Sequence, residues 1–439
     1  MSADAISREA SDESASGEPT SPILVNAPRK RWFTFMGAGS LIAVGYMDPG
    51  NWATALGSGS KYGYELLSVV LIASLMGLLL QRIAAKVGVI TGRDLAQLCR
   101  ERCGKRTNIF LWVTCEISII ACDVAEVVGS AVALQLLFGI SLTSGVLISA
   151  VATLVMLLLQ IRSQRPLQVA ISFLILLIGI CFVIQLSLAN PQWGAVAGGL
   201  VPSPELLRDA GMVWLAAGIL GATVMPHNLY LHSALVKQHG VGASEGQVQQ
   251  ILKGVNVDTT LSLGVAFTIN AALLIVAAAV FNVSGHTEVN DLADAHRLIS
   301  PLLGNQWASI LFASALLACG INATVTGTLA GQVVMEGFLK LKMALWARAL
   351  LTRGLAIGPA LLCVGVFGDN GSNELLVASQ VVLSLQLPLA VIPLVAFAAS
   401  KELMGKYRIR GGTWALARLC SSIIVLLNFV LLAQILSGE

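Results

Sequence analysis

Two short strings hold the groups best able to do chemistry. Gly45-Tyr46-Met47-Asp48-Pro49-Gly50-Asn51 offers a carboxylate and an amide, and Gly221-Ala222-Thr223-Val224-Met225-Pro226-His227-Asn228 offers a thioether, an imidazole and a second amide. Both lie in the middle of long apolar segments, where such groups are expensive and by default functional. The prolines interrupt any helix that runs through them. Carbonyls freed by the break are tolerated at membrane depth only where they line a cavity. A free carbonyl beside a carboxylate is a cation site. The hard oxygen of Asp48, the neutral oxygen of Asn51 and the soft sulfur of Met225 together favour a first-row transition metal over magnesium or calcium, which take oxygen alone. Met225 by itself would read as core filler, and one kinked helix would read as a structural accident. Two matched breaks with ligand-type residues argue against both.

A third group stands in another apolar segment. Glu116, Asp123 and Glu126 are spaced by seven and three residues, which at about 100° per residue puts them near one helical face. Three carboxylates in one membrane helix must face protein, water or each other. They are either a polar network that joins helices or a relay, since carboxylates in low dielectric can take up and release protons. His227 and His232 lie near the second break, and imidazole is the side chain suited to proton exchange near neutral pH. Neither is assigned as a metal ligand. His239, His286 and His296 fall in loops and are read as solvated.

The elements that must position these groups are membrane spans. Hydrophobic residues make up 56% of the 439 and charged residues only 12%, with a mean hydropathy of +0.80. A soluble domain carries about twice that charge, so a water-soluble globular fold is excluded. After a polar tail at 1–32, expected to be disordered, eleven spans are predicted at 34–58, 64–88, 107–138, 142–161, 167–189, 211–236, 257–281, 305–337, 345–367, 375–398 and 413–436. Most reach the roughly 20 apolar residues needed to cross the hydrocarbon core.

The breaks fall in spans 1 and 6. Five spans separate them, which suggests halves of five helices in opposite orientation, 33–200 and 201–400, followed by a loop and final span at 401–439. Paired interrupted helices in matching positions of inverted halves point to a midplane substrate site. Alternate loops are rich in Lys and Arg, from Arg93 to Arg106 and from Lys401 to Arg410, and the others carry Glu205, Asp209, Glu288, Asp291, Asp294, Asp369 and Glu374. The positive-inside rule then places the amino terminus in the cytoplasm and the carboxyl terminus outside. The net charge of +3 adds nothing to this. Eight cysteines, six of them in apolar runs, do not make a disulfide framework. Cys99 and Cys103 lack the second ligand pair of a metal site.

The strings Asp48-Pro49-Gly50-Asn51 and Met225-Pro226-His227 resemble the two signatures of the Nramp family, the proton-coupled manganese and iron transporters, in its bacterial members. The resemblance continues through Glu116, Asp123 and Glu126, then Gly327-Thr328-Leu329-Ala330-Gly331 and Ser379-Gln380, and covers roughly 35–435. It implies an all-α integral membrane protein with a LeuT-like fold of 5+5 inverted repeats plus an eleventh helix. It also implies a metal site at Asp48, Asn51 and Met225, with the carbonyls of Gly45 and Ala222, and with Gln380 in some conformations. Members proposed to move aluminium or magnesium replace this methionine. The implied activity is import of Mn2+, and also Fe2+ and Cd2+, with proton symport across the bacterial inner membrane. A proton route would run through Asp48, His227, Glu126, Asp123, Glu116 and His232. Metal and protons are substrates, and no cofactor, enzyme activity, nucleic acid or obligate protein partner is expected. Two departures stand out: Ile321 where many members carry Gln, and Arg348-Ala349 where many carry paired arginines.

Other classes make different demands. A sodium-coupled amino-acid symporter could share the fold, but its site would want hydroxyls and a helix amino terminus for a carboxylate. A membrane enzyme would want a protease or hydrolase signature, and none is present. A passive metal channel differs only in coupling, a kinetic property.

Overall fold

The structure, a computed structural model, describes residues 37–437 except 163, 290 and 368–370. The expected tail at 1–32 and the loop residue Asp369 lie outside the described residues. All described elements are helical. Span 1 is two helices, α1 (Ala38–Gly45) and α2 (Pro49–Tyr62). Spans 2 to 5 are α3 (Leu67–Thr91), α5 (Lys105–Phe138), α6 (Leu142–Arg162) and α7 (Gln164–Ala189), with a short α4 (Leu95–Arg102) after α3 and α8 (Trp193–Gly199) after α7. Span 6 is again two helices, α9 (Ala210–Val224) and α10 (Pro226–Val236). The remainder are α11 (Glu245–Ala277), α12 (Leu292–Leu303), α13 (Trp307–Leu339), α14 (Leu345–Phe367), α15 (Gly371–Ala399), α16 (Lys401–Met404) and α17 (Gly411–Ser437).

Eight described helices are long and apolar enough to cross a membrane. The broken α1/α2, together with α6 and α14, completes the eleven expected spans. Boundaries agree with the sequence reading to a few residues except at α11, which starts at Glu245 instead of 257. The sequence reading also has no counterpart for α4, α8 or α12. Polar residues at 245–256 hid the early start of α11, because hydropathy registers the lipid-crossing part and not the extension beyond it.

The core is built on the broken spans. α2 packs on α9 and α1 on α10, with α5, α11 and α15 closing around them. The contacts are close enough to need glycine. A Cβ on Gly221 would come to 2.1 Å from the Gln380 carbonyl oxygen and 2.7 Å from the Ser384 nitrogen, both backbone atoms of α15. Gly221→Ala is therefore expected to cost about 1–3 kcal/mol by overpacking. It should lower the melting temperature in detergent, and an unchanged melt would mean that α9 and α15 separate freely.

The amino terminus of α1 is held from outside. Its own cap position, Gly37, has no side chain to accept the orphan amides. Asp258 of α11 takes that role, its Oδ2 accepting from Gly39 N at 2.7 Å and from Gly37 N at 3.3 Å.

Candidate functional site

The first break follows from local rules. α1 ends at Gly45, and Tyr46 and Met47 close tight turns onto the Ala43 and Val44 carbonyls. Asp48 precedes a proline, which drives it into extended backbone, here φ −89° and ψ 163°. Pro49 then opens α2 at the position where a missing amide costs nothing. Asp48 caps that helix: Oδ1 accepts from Asn51 N at 3.1 Å and Oδ2 from Gly50 N at 3.2 Å. Its carboxylate is fully buried.

Around this carboxylate two amide side chains converge. Asn51 Nδ2 donates to Asp48 Oδ1 at 2.6 Å, and also lies 3.1 Å from the Tyr46 carbonyl and 3.4 Å from the Ala222 carbonyl of the other break. Gln380 Nε2 of α15 donates to Asp48 Oδ2 at 3.2 Å. The sequence reading has Asn51 offering its oxygen. Here its N–H₂ group faces the Asp48 carboxylate, and a half-turn of the amide would present the oxygen. The Gln380 Oε1 atom is buried with no partner among the described residues, so it too is available on rotation.

The second break carries backbone strain. Met225 sits between α9 and α10 at φ 36° and ψ 100°, a left-handed conformation uncommon for non-glycine residues. Such outliers cost on the order of 1–3 kcal/mol and cluster at functional sites. Its side chain is buried against Cys122 and Leu383, and Asn228 Nδ2 approaches its sulfur at 3.5 Å. Asn228 also fixes where Gly45 must be glycine, since a Cβ there would stand 2.3 Å from Asn228 Nδ2. The two strings thus meet through Asn51 and the Ala222 carbonyl and through Asn228, which lies against both Gly45 and Met225, while Gln380 reaches Asp48 from α15. No cluster of three or more His, Cys, Asp or Glu exists among the described residues. The site has one carboxylate, and carbonyl, amide and thioether groups must complete any shell.

The three acids of α5 do not stay together. Glu116 pairs with Arg348 of α14, accepting from Nη2, and also accepts from Trp112 Nε1 at 3.1 Å. That pair is nearly enclosed, with side chains 4% and 13% exposed. Asp123 and Glu126 instead face α13. A Cβ on Gly327 would come to 2.8 Å from Asp123 Oδ1 and 3.3 Å from Glu126 Oε1, and one on Gly331 would come to 2.6 Å from Arg348 Nη2. The two glycines of the 327–331 run, four apart on one helical face, therefore make room for the carboxylates and for the arginine. Cys122 Sγ lies 3.8 Å from Glu126 Oε1.

The histidines take different places. His227 is buried at the break with no partner for Nδ1 among the described residues. His232 Nδ1 meets Gln81 Oε1 at 2.9 Å, Gln81 Nε2 donates to the Tyr46 hydroxyl at 3.1 Å, and that hydroxyl reaches the Val224 carbonyl at 3.5 Å. This chain ties His232 to both breaks. Sequence reasoning missed its middle members and missed Asn270, whose Nδ2 donates to the Tyr46 carbonyl at 2.8 Å. A buried asparagine in the apolar α11 was the available signal.

Fold and site together define a multi-pass, all-helical membrane protein of the kind whose two broken helices meet at a buried polar centre. The chain belongs to the Nramp family: residues 39–434 match it, under the description Natural resistance-associated macrophage protein-like. A Bradyrhizobium diazoefficiens protein described as divalent metal cation transporter MntH is 50% identical over 409 residues, 93% of this chain and 91% of the relative. A crystal structure of the Eremococcus coleocola manganese transporter superposes with a TM-score of 0.84 at 36% identity, covering 93% of this chain and 89% of that one. Mhp1, a nucleobase-cation-symport-1 family transporter, shares the fold at a TM-score of 0.60 and 16% identity, covering 90% of each chain.

Proposed function

We propose that this protein imports divalent transition-metal ions, Mn2+ first and Fe2+ and Cd2+ with it, in symport with protons by alternating access across a bacterial inner membrane. The observation that carries the reading is the wholly buried Asp48 carboxylate at the meeting of two helix breaks, ringed by rotatable amides and beside the strained Met225. The relatives named for divalent metal and for manganese transport support it. Asp48, Asn51 and Met225 would hold the ion with the carbonyls of Gly45 and Ala222, and Gln380 would join after rotation. The Lys/Arg bias places the amino terminus inside and the carboxyl terminus outside, and the inverted repeats divide at 200/201.

A divalent ion arriving at Asp48 weakens its hold on a proton, because like charges compete for the same carboxylate. Asp123 and Glu126 on α5 are the acceptors in this reading. The buried His227 and His232 and the partly buried Glu116 serve the same route. The test is uptake in proteoliposomes with and without an inward proton gradient, with acidification followed in parallel. Asp123→Asn and Glu126→Gln are expected to lower metal-stimulated proton entry about 100-fold, the lower end of what a positioned proton-transfer group contributes, and metal binding by much less. Vesicles of both variants that acidify like the parent would leave the α5 acids as a polar joint between helices.

A further inference from the structure

The Lys/Arg-rich end of the molecule has a groove of about 600 Å³ between the last turns of α3 and the first half of α11, with Tyr407 in its wall. Lys86 of α3 and Lys253 of α11 line it from opposite helices, and no carboxylate does. Neither lysine has an ion-pair partner among the described residues. The Tyr407 hydroxyl is buried with no hydrogen-bond partner among the described residues, a costly state for a donor. Gln249, Asn256 and Thr260 add neutral polar groups to the wall, and Leu252, Val257 and Leu261 are its apolar part. Val257 and Leu261 lead away along α11 and stand 44% and 62% exposed on a helix long and apolar enough to cross a membrane.

Each of these features fits one kind of ligand. Two unpaired cations and an unused hydroxyl call for an oxygen-rich anion. An exposed apolar flank running from them calls for a hydrocarbon tail on the same molecule. Lysines that merely reach for the interface from a convex helix need no concavity and leave no hydroxyl unmatched. We infer that this groove seats one anionic phospholipid, its phosphate between Lys86 and Lys253 and its acyl chain along Val257 and Leu261. Basic pockets between membrane helices on the cytoplasmic side recognise such headgroups. The assignment of the leaflet rests on the orientation proposed above, and the site itself does not.

Native mass spectrometry of the full chain released from neutral detergent tests this, with phosphatidylglycerol and phosphatidylcholine offered in turn and inorganic phosphate as a competitor. The parent is expected to retain one phosphatidylglycerol with a preference of about tenfold or more over phosphatidylcholine, in line with two lysines near an anionic surface. The double variant Lys86→Gln with Lys253→Gln should bring the two lipids to within about twofold, as expected once both charges are gone. Lys253→Glu, a single reversal at an exposed residue, should do the same if the double variant folds poorly. Equal retention of both lipids by the parent, or an undiminished preference in the variants, overturns the site. Displacement of the lipid by inorganic phosphate also overturns it, in favour of a free anion. Manganese uptake in phosphatidylcholine vesicles should match between parent and variants, so a failure of the lipid site is read separately from a failure of the transport reading.

Discussion

Asp48→Asn is expected to reduce manganese uptake by on the order of a hundredfold or more, the upper end of what loss of a metal-site group costs, with the fold intact. The carboxylate does two jobs that the substitution separates. It caps α2 through the Gly50 and Asn51 amides, and it is the one anion at the break. Asparagine is as good a cap as aspartate but brings no charge, and its N–H₂ group would face the Gln380 amide. Asp48→Ala loses the cap as well, at about 0.5–2 kcal/mol, and leaves the Asn51 and Gln380 donors without their acceptor. Both variants should fail in uptake while only the alanine variant melts appreciably earlier. Parent-like manganese uptake by a correctly inserted Asp48→Asn protein would remove Asp48 from the site.

Met225→Leu is expected to change which ions the protein accepts more than how fast it works. Oxygen-only sites suit calcium and magnesium, and a thioether is a poor replacement for water at either but an acceptable one at manganese, iron or cadmium. Leucine keeps the volume packed against Cys122 and Leu383, so the cavity penalty of about 2–5 kcal/mol that alanine would bring is avoided. Either residue bears the same left-handed backbone cost, so the comparison isolates the sulfur. Calcium should compete against manganese about tenfold better in the variant, equivalent to about 1.4 kcal/mol of lost discrimination. Cadmium, the softest of the set, should lose the most affinity. If calcium competes no better and cadmium binds as before, the sulfur is packing and selectivity lies in the oxygen ligands. The left-handed backbone at Met225 already weighs against plain packing, since glycine would sit there without strain.

The breaks were legible because the rules that make them are local. Proline, its preceding residue and an N-capping aspartate act within a few positions, and they put Asp48 and Met225 at the two helix breaks. The spans were legible because lipid reads composition. What remained hidden was the part set by distant packing. Helical periodicity put Glu116, Asp123 and Glu126 near one face, yet it said nothing of which neighbour each would meet. Arg348 draws Glu116 toward α14, while the Gly327 gap admits Asp123 on α13. The orientation of the Asn51 amide was equally out of reach, because it answers to the charge beside it and not to its own sequence. Asn270 and Gln81 reach the first break from α11 and α3, contacts no spacing rule anticipates.

The cap on α1 has a mechanical result. Asp258 belongs to α11, so among the described residues the cap on the first half of the broken span comes from another helix. If α1 tilts alone, the Gly37 and Gly39 amides lose their acceptor in a setting where each unpaired group costs about 1–3 kcal/mol. If α11 tilts with it, both hydrogen bonds are kept. As far as these two bonds decide it, the cheaper movement is a paired one, in which the short helix and its long neighbour tilt together.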